Sequence, residues 1–394
     1  MTVHLFGAVS SPSCACFALR KTAESNQTNF LPEVIETVKR NFYMDDLLKS
    51  LPSENDAVTM AKDLITICSK GGFTLTQWTS NSRDVLQSIP GELRSQTLCE
   101  LDLTKDKLPV DRALGLQWCT ETDSFKFKLK IKEKPTTKRG MLSIISSVYD
   151  PLGFLAPLIL PAKLLLQELC RIKCAWDDPI PPAFQEKWNR WLADLKTLSE
   201  IQVSRCIKPK GFGNVVCAQL HHFSDASENG YGTATYIRME NISKGVHVSF
   251  LFGKARVAPL KPITIPRLEL TAAVVAIRVD KMLQKELQLP LKESYFWTDS
   301  TSVLKYIQNE DRRFKTFVAN RITTIRDGSK VTQWRYIPSC SNPADVASRG
   351  IKADGLWKQR WLESPAFLWE PEDKWPKSCT ELSVTADDLE FYHS

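Results

Sequence analysis

Four acidic residues in the second half of the chain stand at the edges of short structural patterns. Asp225 follows an apolar run that reads as a strand, and Asp299 follows another. Glu269 opens a long helical pattern, and Asp345 comes just after the strand-like residues 331–337. We expect these carboxylates to converge on one side of a single sheet. Like charges that close repel one another and need cations, and two Mg²⁺ ions about 3.5–4 Å apart are the usual arrangement for phosphodiester cleavage.

Each carboxylate also has a purely structural explanation. An aspartate before Ser-Thr, as at Asp299, is typical of a helix N-cap. Glu269 and Asp345 stand near helix starts, where a negative charge complements the helix dipole. Asp225 would serve as a turn residue ahead of Gly230. Taken singly, the structural explanation is preferred for each residue, but the four together, in this order and in these settings, predict a metal site.

The motifs around these residues resemble the ribonuclease H domain of retroelement polyproteins. They read Phe-Ser-Asp-Ala-Ser at Asp225, Arg-Leu-Glu-Leu at Glu269, Trp-Thr-Asp-Ser at Asp299 and Asn-Pro-Ala-Asp-Val-Ala-Ser-Arg-Gly at Asp345. With the upstream sequence, nearly the whole chain resembles the pol region of BEL/Pao-type LTR retrotransposons. The resemblance implies that the four carboxylates are catalytic, that they bind Mg²⁺ or Mn²⁺, and that an RNA–DNA hybrid is the partner.

One departure from the retroviral type of this pattern concerns a histidine that often precedes the last aspartate. No histidine lies between Asp327 and Asp345. The departure bears on product release or on the handling of a second metal ion, and it leaves the four carboxylates in place.

A second pair of carboxylates, Asp45 and Asp46, stands in the string Phe-Tyr-Met-Asp-Asp-Leu-Leu. The string resembles the polymerase hairpin of reverse transcriptases, which implies that both aspartates bind catalytic metal and that Tyr43 and Met44 lie against the primer end. A surface turn with two solvated aspartates is the alternative. Only five residues precede the Phe-Gly pair at residues 6–7, where a complete polymerase would have its fingers and another metal-binding aspartate. We therefore expect a truncated and inactive polymerase region.

Two stretches after this hairpin are candidates for nucleic-acid contacts. Residues 114–118 resemble the primer-grip strand, which implies such contacts for Gly115 and Trp118, although an ordinary core strand with a buried tryptophan is the alternative. Further on, lysines alternate with apolar residues, so that one face of a strand would follow a phosphate backbone. An edge strand protected by lysines explains this row equally well. The row consists of Lys126, Lys128, Lys130, Lys132 and Lys134.

Composition and charge are those of a soluble globular protein with a mildly basic balance. The 394 residues suffice for two or three domains, and the net charge of +7 suits a polyanionic partner. Eleven cysteines at irregular spacing argue against a disulfide framework and for a reduced compartment. The apolar residues 152–169 are interrupted by prolines and charges, which argues against a membrane span. We expect a cytoplasmic location, with a particle-associated or nuclear one as alternatives.

The hydrophobic pattern predicts an α+β or α/β protein. A helix is predicted from residue 54 to the glycines at residues 71–72, a strand at residues 72–78 and a capped short helix at residues 81–89. After residue 213 the order is strand, strand, strand, helix, strand, helix, helix, strand and a final turn. That order is expected of a ribonuclease H-like mixed sheet flanked by helices.

These elements divide the chain into four parts. Residues 1–135 form a partial reverse transcriptase with a palm remnant and a thumb-like or primer-grip region. Residues 136–212 form a connection, and residues 213–352 form the ribonuclease H-like domain. Residues 353–394, with nine acidic and four basic residues, form an acidic, tryptophan-rich tail leading toward a missing integrase. Other parts of the pol polyprotein are the expected protein partners.

Three functions compete on this evidence. The leading one is a magnesium-dependent endoribonuclease that hydrolyses the RNA strand of RNA–DNA hybrids. A working RNA-directed DNA polymerase is disfavoured by the missing aspartate. A decayed or co-opted element that binds nucleic acid without catalysis is disfavoured by the intact carboxylates. The Asp-Ser/Thr-Gly tripeptide of retroelement aspartic proteases does not occur in the chain.

Overall fold

The structure is a computed structural model of the whole chain. It describes residues 9–99, 101–103, 105–113, 116–127, 133–198, 201–310, 313–358 and 361–377. These residues fall into two compact units, one within Met1–Phe127 and Gln202–Arg205, the other within Lys128–Ile201 and Cys206–Ser394. Several predictions concern residues outside the described part, namely residues 6–7, Gly115, Lys128, Lys130, Lys132 and residues 378–394.

The first unit contains helices, a small hairpin and an antiparallel sheet. The helices are α1 (Ser11–Ser25), α2 (Pro32–Arg40), α3 (Glu54–Lys70), α4 (Arg83–Ser88) and α5 (Gln96–Cys99). The hairpin pairs β1 (Phe42–Tyr43) with β2 (Asp46–Leu47). The sheet has the order β3-β4-β5-β6, formed by Val110–Ala113, Leu116–Cys119, Ser124–Lys126 and Gln202–Ser204.

Two predicted helices of the first unit are confirmed, and serine caps explain where they begin. The Ser53 hydroxyl accepts a hydrogen bond from the backbone N–H of Asp56 at the start of α3. The Ser82 hydroxyl accepts one from the backbone N–H of Val85 at the start of α4. Each cap satisfies a backbone donor that the first helical turn leaves without a partner.

The strand predicted at residues 72–78 is wrong. Only an isolated bridge between Trp78 and Arg94 occurs there, and Gln77 has a positive φ of 59°, which interrupts an extended strand. The apolar alternation has another cause, because Phe73, Leu75 and Trp78 pack against the core formed by the first three helices. Apolar side chains spaced two or three residues apart and packed on a helical layer can give a pattern close to that of a half-buried strand.

The second unit is built on a five-stranded mixed sheet. Its helices are α6 (Lys138–Ser147), α7 (Ala156–Arg171), α8 (Pro182–Thr197), α9 (Ile265–Glu286), α10 (Thr301–Gln308), α11 (Thr316–Arg326), α12 (Asp345–Arg349) and α13 (Gly355–Lys358). Its strands are β7 (Val215–Ala226), β8 (Gly230–Asn241), β9 (Val246–Val257), β10 (Tyr295–Thr298) and β11 (Trp334–Tyr336). Strands β7, β8 and β9 are antiparallel neighbours, and β10 runs parallel to both β7 and β11.

The predicted order of strands and helices after residue 213 is confirmed, with one shorter element. Residues 331–337, predicted as strand-like, contain a 3₁₀ turn at Val331–Gln333, and the strand itself is only β11. A mixed sheet with helices is therefore established for the second unit.

Helix α9 covers one face of this sheet. Alternate residues of β7 and β8, such as Leu220 and Ile237, pack against Val275 and Val279 of α9, and all four are buried. Every second side chain of the strands faces α9, and every third or fourth side chain of α9 faces the strands. This match fixes the position of α9 along the sheet. Helices α10 and α11 extend the same layer around Phe296 of β10.

The opposite face is covered in part by residues 361–377, which the sequence analysis assigns to the tail. The indole N–H of Trp361 donates to the backbone oxygen of Phe154 at 3.0 Å, and Tyr236 donates to the backbone oxygen of Trp361 at 2.7 Å. Leu368 and Trp375 are buried on the same face. These residues therefore form a layer of the second unit.

The turn before α7 touches the backbone of β9. Gly253 donates its backbone N–H to the oxygen of Leu152 at 2.8 Å. A Cβ atom on Gly153, which has a φ of 79°, would lie 1.8 Å from the oxygen of Gly253. Only glycine allows this approach, so part of the segment predicted as a connection packs directly on the sheet.

Among the described residues, no helix is both long and apolar enough to cross a membrane. Free thiols in the described part of the chain include Cys14, Cys16, Cys68, Cys119, Cys170, Cys174, Cys217 and Cys340.

Candidate active site

Two of the four predicted carboxylates lie at the same ends of neighbouring parallel strands. Ser224 of β7 is in register with Thr298 of β10, so Asp225 and Asp299 each stand one residue beyond this pair. Glu269 lies in the second turn of α9, and Asp345 is the first residue of α12. The carboxyl ends of parallel strands form a common edge where sites are usually built in open sheets.

The four carboxylates act on one another electrostatically. The pKa of Asp225 is raised from its ordinary value of 3.8 to about 7, mainly by burial and also by the charges of Asp299, Asp345 and Glu269, against the lowering effect of a hydrogen bond from Ser348. Burial also raises the pKa of Glu269, and the charge of Asp299 adds to that rise. The structure therefore brings the four predicted residues within electrostatic range of one another.

Two serines that sequence reasoning missed hold carboxylates of this cluster. The Ser348 hydroxyl, on α12, donates to Oδ2 of Asp225, and the Ser300 hydroxyl donates to Oε2 of Glu269. Ser300 also caps α10, because its oxygen accepts from the backbone N–H of Val303 at 3.2 Å. The only signal for either serine was its place inside a motif that surrounds an acidic residue.

The other two carboxylates have nitrogen donors. The Asn342 side chain donates to the backbone oxygen of Ser224 at 3.1 Å and to Oδ1 of Asp299 at 3.3 Å. Arg349 donates from Nε to Oδ1 of Asp345 at 2.6 Å. Each of the four carboxylates thus has a donor from the chain. Three of these donors lie more than 80 residues after the end of β9, namely Asn342, Ser348 and Arg349.

Two of the structural alternatives for these residues are wrong. Asp299 does not cap α10, because that cap is Ser300. Asp225 is not a turn residue, because it lies inside β7, and the turn is closed by Ser227, whose hydroxyl accepts from the backbone N–H of Gly230 at 3.3 Å. Asp345 opens α12, so its charge does also complement that helix dipole.

Glycines in β8 let α12 approach the sheet. Gly230 and Gly232 are the first and third residues of β8. A Cβ atom on Gly232 would lie 2.7 Å from Cβ of Ala347 and 2.4 Å from the oxygen of Lys254. Because no side chain fits there, α12 reaches the sheet closely enough for Ser348 to contact Asp225.

The donor set suits Mg²⁺ chemically, since it consists of carboxylate oxygens that repel one another. Within the described part of the chain, however, no three His, Cys, Asp or Glu side chains are arranged to hold a metal ion. One oxygen of each carboxylate accepts a hydrogen bond, from Ser348, Ser300, Asn342 or Arg349. A cation would bind through the second oxygen of each group or by displacing one of these donors.

Basic residues on α9, β9 and α11 lie within electrostatic range of one another. The pKa of Arg321 is lowered by burial and by the charges of Arg278 and Arg267. The pKa of Lys254 is lowered by burial and by Arg256, Arg278 and Lys163. Mutual repulsion of this kind marks a concentration of positive charge that an anionic ligand would relieve. Sequence reasoning missed this basic surface because its members are scattered along the chain: Lys163, Lys254, Arg256, Arg267, Arg278 and Arg321.

In the first unit, the predicted polymerase residues lie on the β1–β2 hairpin. Tyr43 pairs with Asp46, and Met44 has a φ of 52° at the turn. Tyr43, Met44, Asp45 and Asp46 are all exposed, while Phe42 and Leu47 pack on the helical core. The hairpin has the predicted local form, and the roles of its residues stay a prediction.

Two further predicted contacts of the first unit lie in its antiparallel sheet. The indole N–H of Trp118 donates to Asp123 at 2.9 Å, and Arg205 pairs with the same carboxylate at 2.6 Å. Trp118 is half-buried, unlike the buried core tryptophan of the alternative interpretation. Lys126 lies in β5, which pairs on both sides, so the described part of this strand is not a sheet edge.

Part of the second unit matches a ribonuclease H-like family. Residues 137–300 match the family described as the Pao retrotransposon-like RNaseH-like domain, and this confirms the resemblance to BEL/Pao retrotransposons for that part of the chain. The match includes Asp225, Glu269 and Asp299, and it begins within the segment predicted as a connection. The comparison with curated proteins found no match.

Solved structures show weak similarity. The N-terminal RNase H domain of a Mycobacterium tuberculosis protein, fused to maltose-binding protein, is 9% identical with a TM-score of 0.23; the alignment covers 33% of this chain and 92% of that chain. RNase H1 from the halophilic archaeon Halobacterium salinarum is 12% identical with a TM-score of 0.22, covering 36% and 98%. A foamy viral protease-reverse transcriptase in complex with dsDNA is 13% identical with a TM-score of 0.16, covering 84% and 60%.

Proposed function

We propose that the second unit is a Mg²⁺-dependent endoribonuclease that cuts the RNA strand of RNA–DNA hybrids, with Mn²⁺ as a substitute. The observation that carries the proposal is the placement of Asp225 and Asp299 one residue beyond a register pair of parallel strands, within electrostatic range of Glu269 and Asp345. The match of residues 137–300 to a Pao retrotransposon-like RNaseH-like domain supports it.

Asp225, Glu269, Asp299 and Asp345 would hold the cations. When bound, Mg²⁺ would polarise the scissile phosphate, lower the pKa of the attacking water and stabilise charge on the leaving oxygen. The chain's own contribution is to place four carboxylates on rigid elements. Ser348 fixes one oxygen of Asp225 and Ser300 fixes one oxygen of Glu269, which orients the remaining oxygens.

The basic surface would bind the phosphate backbone of the nucleic acid. Arg267 and Arg278 both lie on α9. Arg321 of α11 lies over the ring of Phe317, with its guanidinium carbon 3.4 Å from the ring centroid. Arginines held in this way lose little freedom when they bind phosphate, and each contact adds a salt-dependent contribution.

The first unit would be a remnant of a reverse transcriptase palm and primer grip. Its Asp45 and Asp46 are exposed on a hairpin, as a polymerase site requires. We expect this region to be inactive by itself, so the whole chain should fail to extend a primer on an RNA template beyond the level of an Asp45→Asn/Asp46→Asn double variant.

One observation favours a second candidate, a nucleic-acid-binding protein without catalysis. All four carboxylates have hydrogen-bond donors from the chain, so a metal-free site is satisfied as it stands. A co-opted or decayed retroelement domain of this kind would keep the basic surface and bind hybrid without cutting it.

A cleavage assay separates the two candidates. The whole chain is incubated with an RNA–DNA hybrid labelled on the RNA strand, in Mg²⁺, in Mn²⁺ and in chelator. We expect cleavage in both metals and none in chelator, with a loss of about 100-fold or more in Asp225→Asn, because one ligand is removed. Asp327→Asn, an exposed aspartate at the end of α11, is the matched control and should cut normally. Binding of hybrid without cleavage in either metal would support the second candidate.

A further inference from the structure

The ion pair between Arg349 and Asp345 lies at the mouth of the carboxylate cluster. Arg349 is the last residue of α12 and follows Asp345 by one helical turn. Its Nε lies 2.6 Å from Oδ1 of Asp345, and the two side chains are 64% and 36% exposed. Solvent, and therefore a ligand, can reach both groups.

The guanidinium of Arg349 also interacts electrostatically with other carboxylates of the cluster. Its pKa is raised first by the hydrogen bond and charge of Asp345, and then by the charges of Asp225 and Asp299. A single positive charge thus stands in the field of three of the four carboxylates. It supplies in part the charge compensation that a divalent cation would supply in full.

The backbone on both sides of Arg349 is held by contacts, while the Arg349 side chain is largely exposed. Ser348 is fully buried, and its backbone oxygen accepts from the Ser227 hydroxyl at 2.8 Å. Gly350 has a φ of 81°, and a Cβ atom there would lie 2.8 Å from Cγ of Pro161 on α7. The helix end is therefore anchored on both sides, so the guanidinium moves through side-chain rotation alone.

We propose that Arg349 is a positioning residue that serves as a built-in counter-ion of Asp345, releases it when a divalent cation binds, and then pairs with a phosphate of the nucleic acid. The inference rests on the proposed function and adds a competition between the chain's own cation and the metal. Guanidinium suits both roles, because it pairs with a carboxylate or a phosphate through the same N–H donors.

The alternative is that Arg349 and Asp345 form an ordinary exposed ion pair within a helix. The chain offers a matched example of such a pair. Arg190 pairs with Glu186 on α8 at 2.7 Å with the same spacing of four residues, and the two side chains are 62% and 76% exposed. This pair lies on α8, which carries none of the four carboxylates. Arg190→Gln is therefore the control for Arg349→Gln.

The test measures Mn²⁺ binding to the whole chain by calorimetry, without nucleic acid. If Arg349 competes with the metal, Arg349→Gln lowers the dissociation constant for Mn²⁺ about two- to fivefold, the range expected for loss of one exposed ion pair. Arg349→Lys keeps the charge and should bind Mn²⁺ like the wild type. Arg190→Gln should also bind like the wild type.

Hybrid cleavage gives the second measurement. Arg349→Gln should lower kcat about tenfold at saturating Mn²⁺ although it binds the metal more tightly, and Arg349→Lys should recover only part of that loss, since an ammonium cannot form two parallel hydrogen bonds to phosphate. A merely structural role would not move metal affinity and kcat in opposite directions.

Two results would overturn the inference. If wild-type chain binds Mn²⁺ and cuts hybrid, but Arg349→Gln matches Arg190→Gln in Mn²⁺ affinity, the proposed function stands and the counter-ion role is wrong. If wild-type chain neither binds Mn²⁺ nor cuts hybrid, the proposed function is wrong and the inference is wrong with it.

Discussion

The Ser348 hydroxyl donates a hydrogen bond to Oδ2 of Asp225, across 123 residues of sequence. This contact joins the last helix of the site to its first strand. The hydroxyl also lies 2.9 Å from the backbone oxygen of Asp345. The position of α12, and with it the position of Asp345, is therefore tied directly to Asp225, whose pKa is raised to about 7.

The first prediction concerns that hydroxyl. A hydrogen bond to the charged form lowers the pKa of a carboxyl group, so Ser348→Ala should raise the pKa of Asp225 above about 7. Metal binding needs the charged form, and the acid side of the pH–activity profile should shift upward by about half a unit to one unit. Ser147→Ala, whose hydroxyl donates only to the backbone oxygen of Ile144 in α6, is the control. An unshifted profile in Ser348→Ala would contradict the assigned contact.

The second prediction concerns pH and stability without metal. The pKa of Asp225 is about 7 in the folded chain and near 3.8 in the unfolded chain, so the unfolded chain gives up this proton first as pH rises. The protonated Asp225 side chain contributes its full stabilisation below about pH 4, and this contribution is lost between about pH 4 and pH 7.

Urea unfolding in chelator measures this effect as a difference between the wild type and Asp225→Asn. The free energy of unfolding of the wild type should fall relative to the variant as pH rises through this window, because asparagine does not titrate. A difference that stays constant, or that grows in favour of the wild type, would show that Asp225 is not held in a repulsive, buried setting.

The third prediction concerns the approach of α12 to the sheet. In Gly232→Ala the new methyl group would meet the oxygen of Lys254 and Cβ of Ala347, so α12 must move away. We expect a loss of about 1–3 kcal/mol in the free energy of unfolding and a larger loss of cleavage than stability alone explains. In Gly91→Ala the new methyl group meets no atom within 4 Å, which makes it the control. Normal cleavage by Gly232→Ala would disprove the need for this close packing.

The fourth prediction concerns the extent of the folded second unit. Trp361, Leu368 and Trp375 are buried against the sheet, so a chain ending at residue 352 should lose on the order of 5 kcal/mol of stability. A chain ending at residue 377 keeps these contacts and should unfold like the whole chain. Thermal unfolding of the two truncated chains decides the matter, and equal stability would place the end of the unit at residue 352 as the sequence predicts.

Much of the second unit could be predicted from the sequence because its signals are local. The apolar run in β7 and the helical period of α9 predict these elements, and short motifs mark Asp225, Glu269 and Asp299. The donors to these carboxylates could not be predicted, because hydrogen bonds such as that from Asn342 to Asp299 depend on tertiary contacts between distant segments. No periodicity encodes such a pairing.

The errors have equally physical causes. Residues 72–78 alternate like a strand, but their apolar side chains are buried on helices rather than in a sheet. Residues 361–377 look like a tail because their tryptophans are separated by prolines and acidic residues without a regular period. Trp361 packs beside Phe250 and Trp375 packs beside Tyr295, and such contacts leave no repeating pattern.

The most direct test of the account compares wild-type chain with Asp299→Asn on one RNA–DNA hybrid in Mg²⁺, with the two strands labelled separately. The account predicts that wild-type chain cuts only the RNA strand, and that Asp299→Asn loses at least about 100-fold of that cleavage while remaining folded, since one cation ligand is gone. Full cleavage by Asp299→Asn, or equal cutting of both strands by the wild type, would contradict a ribonuclease H site built on these four carboxylates.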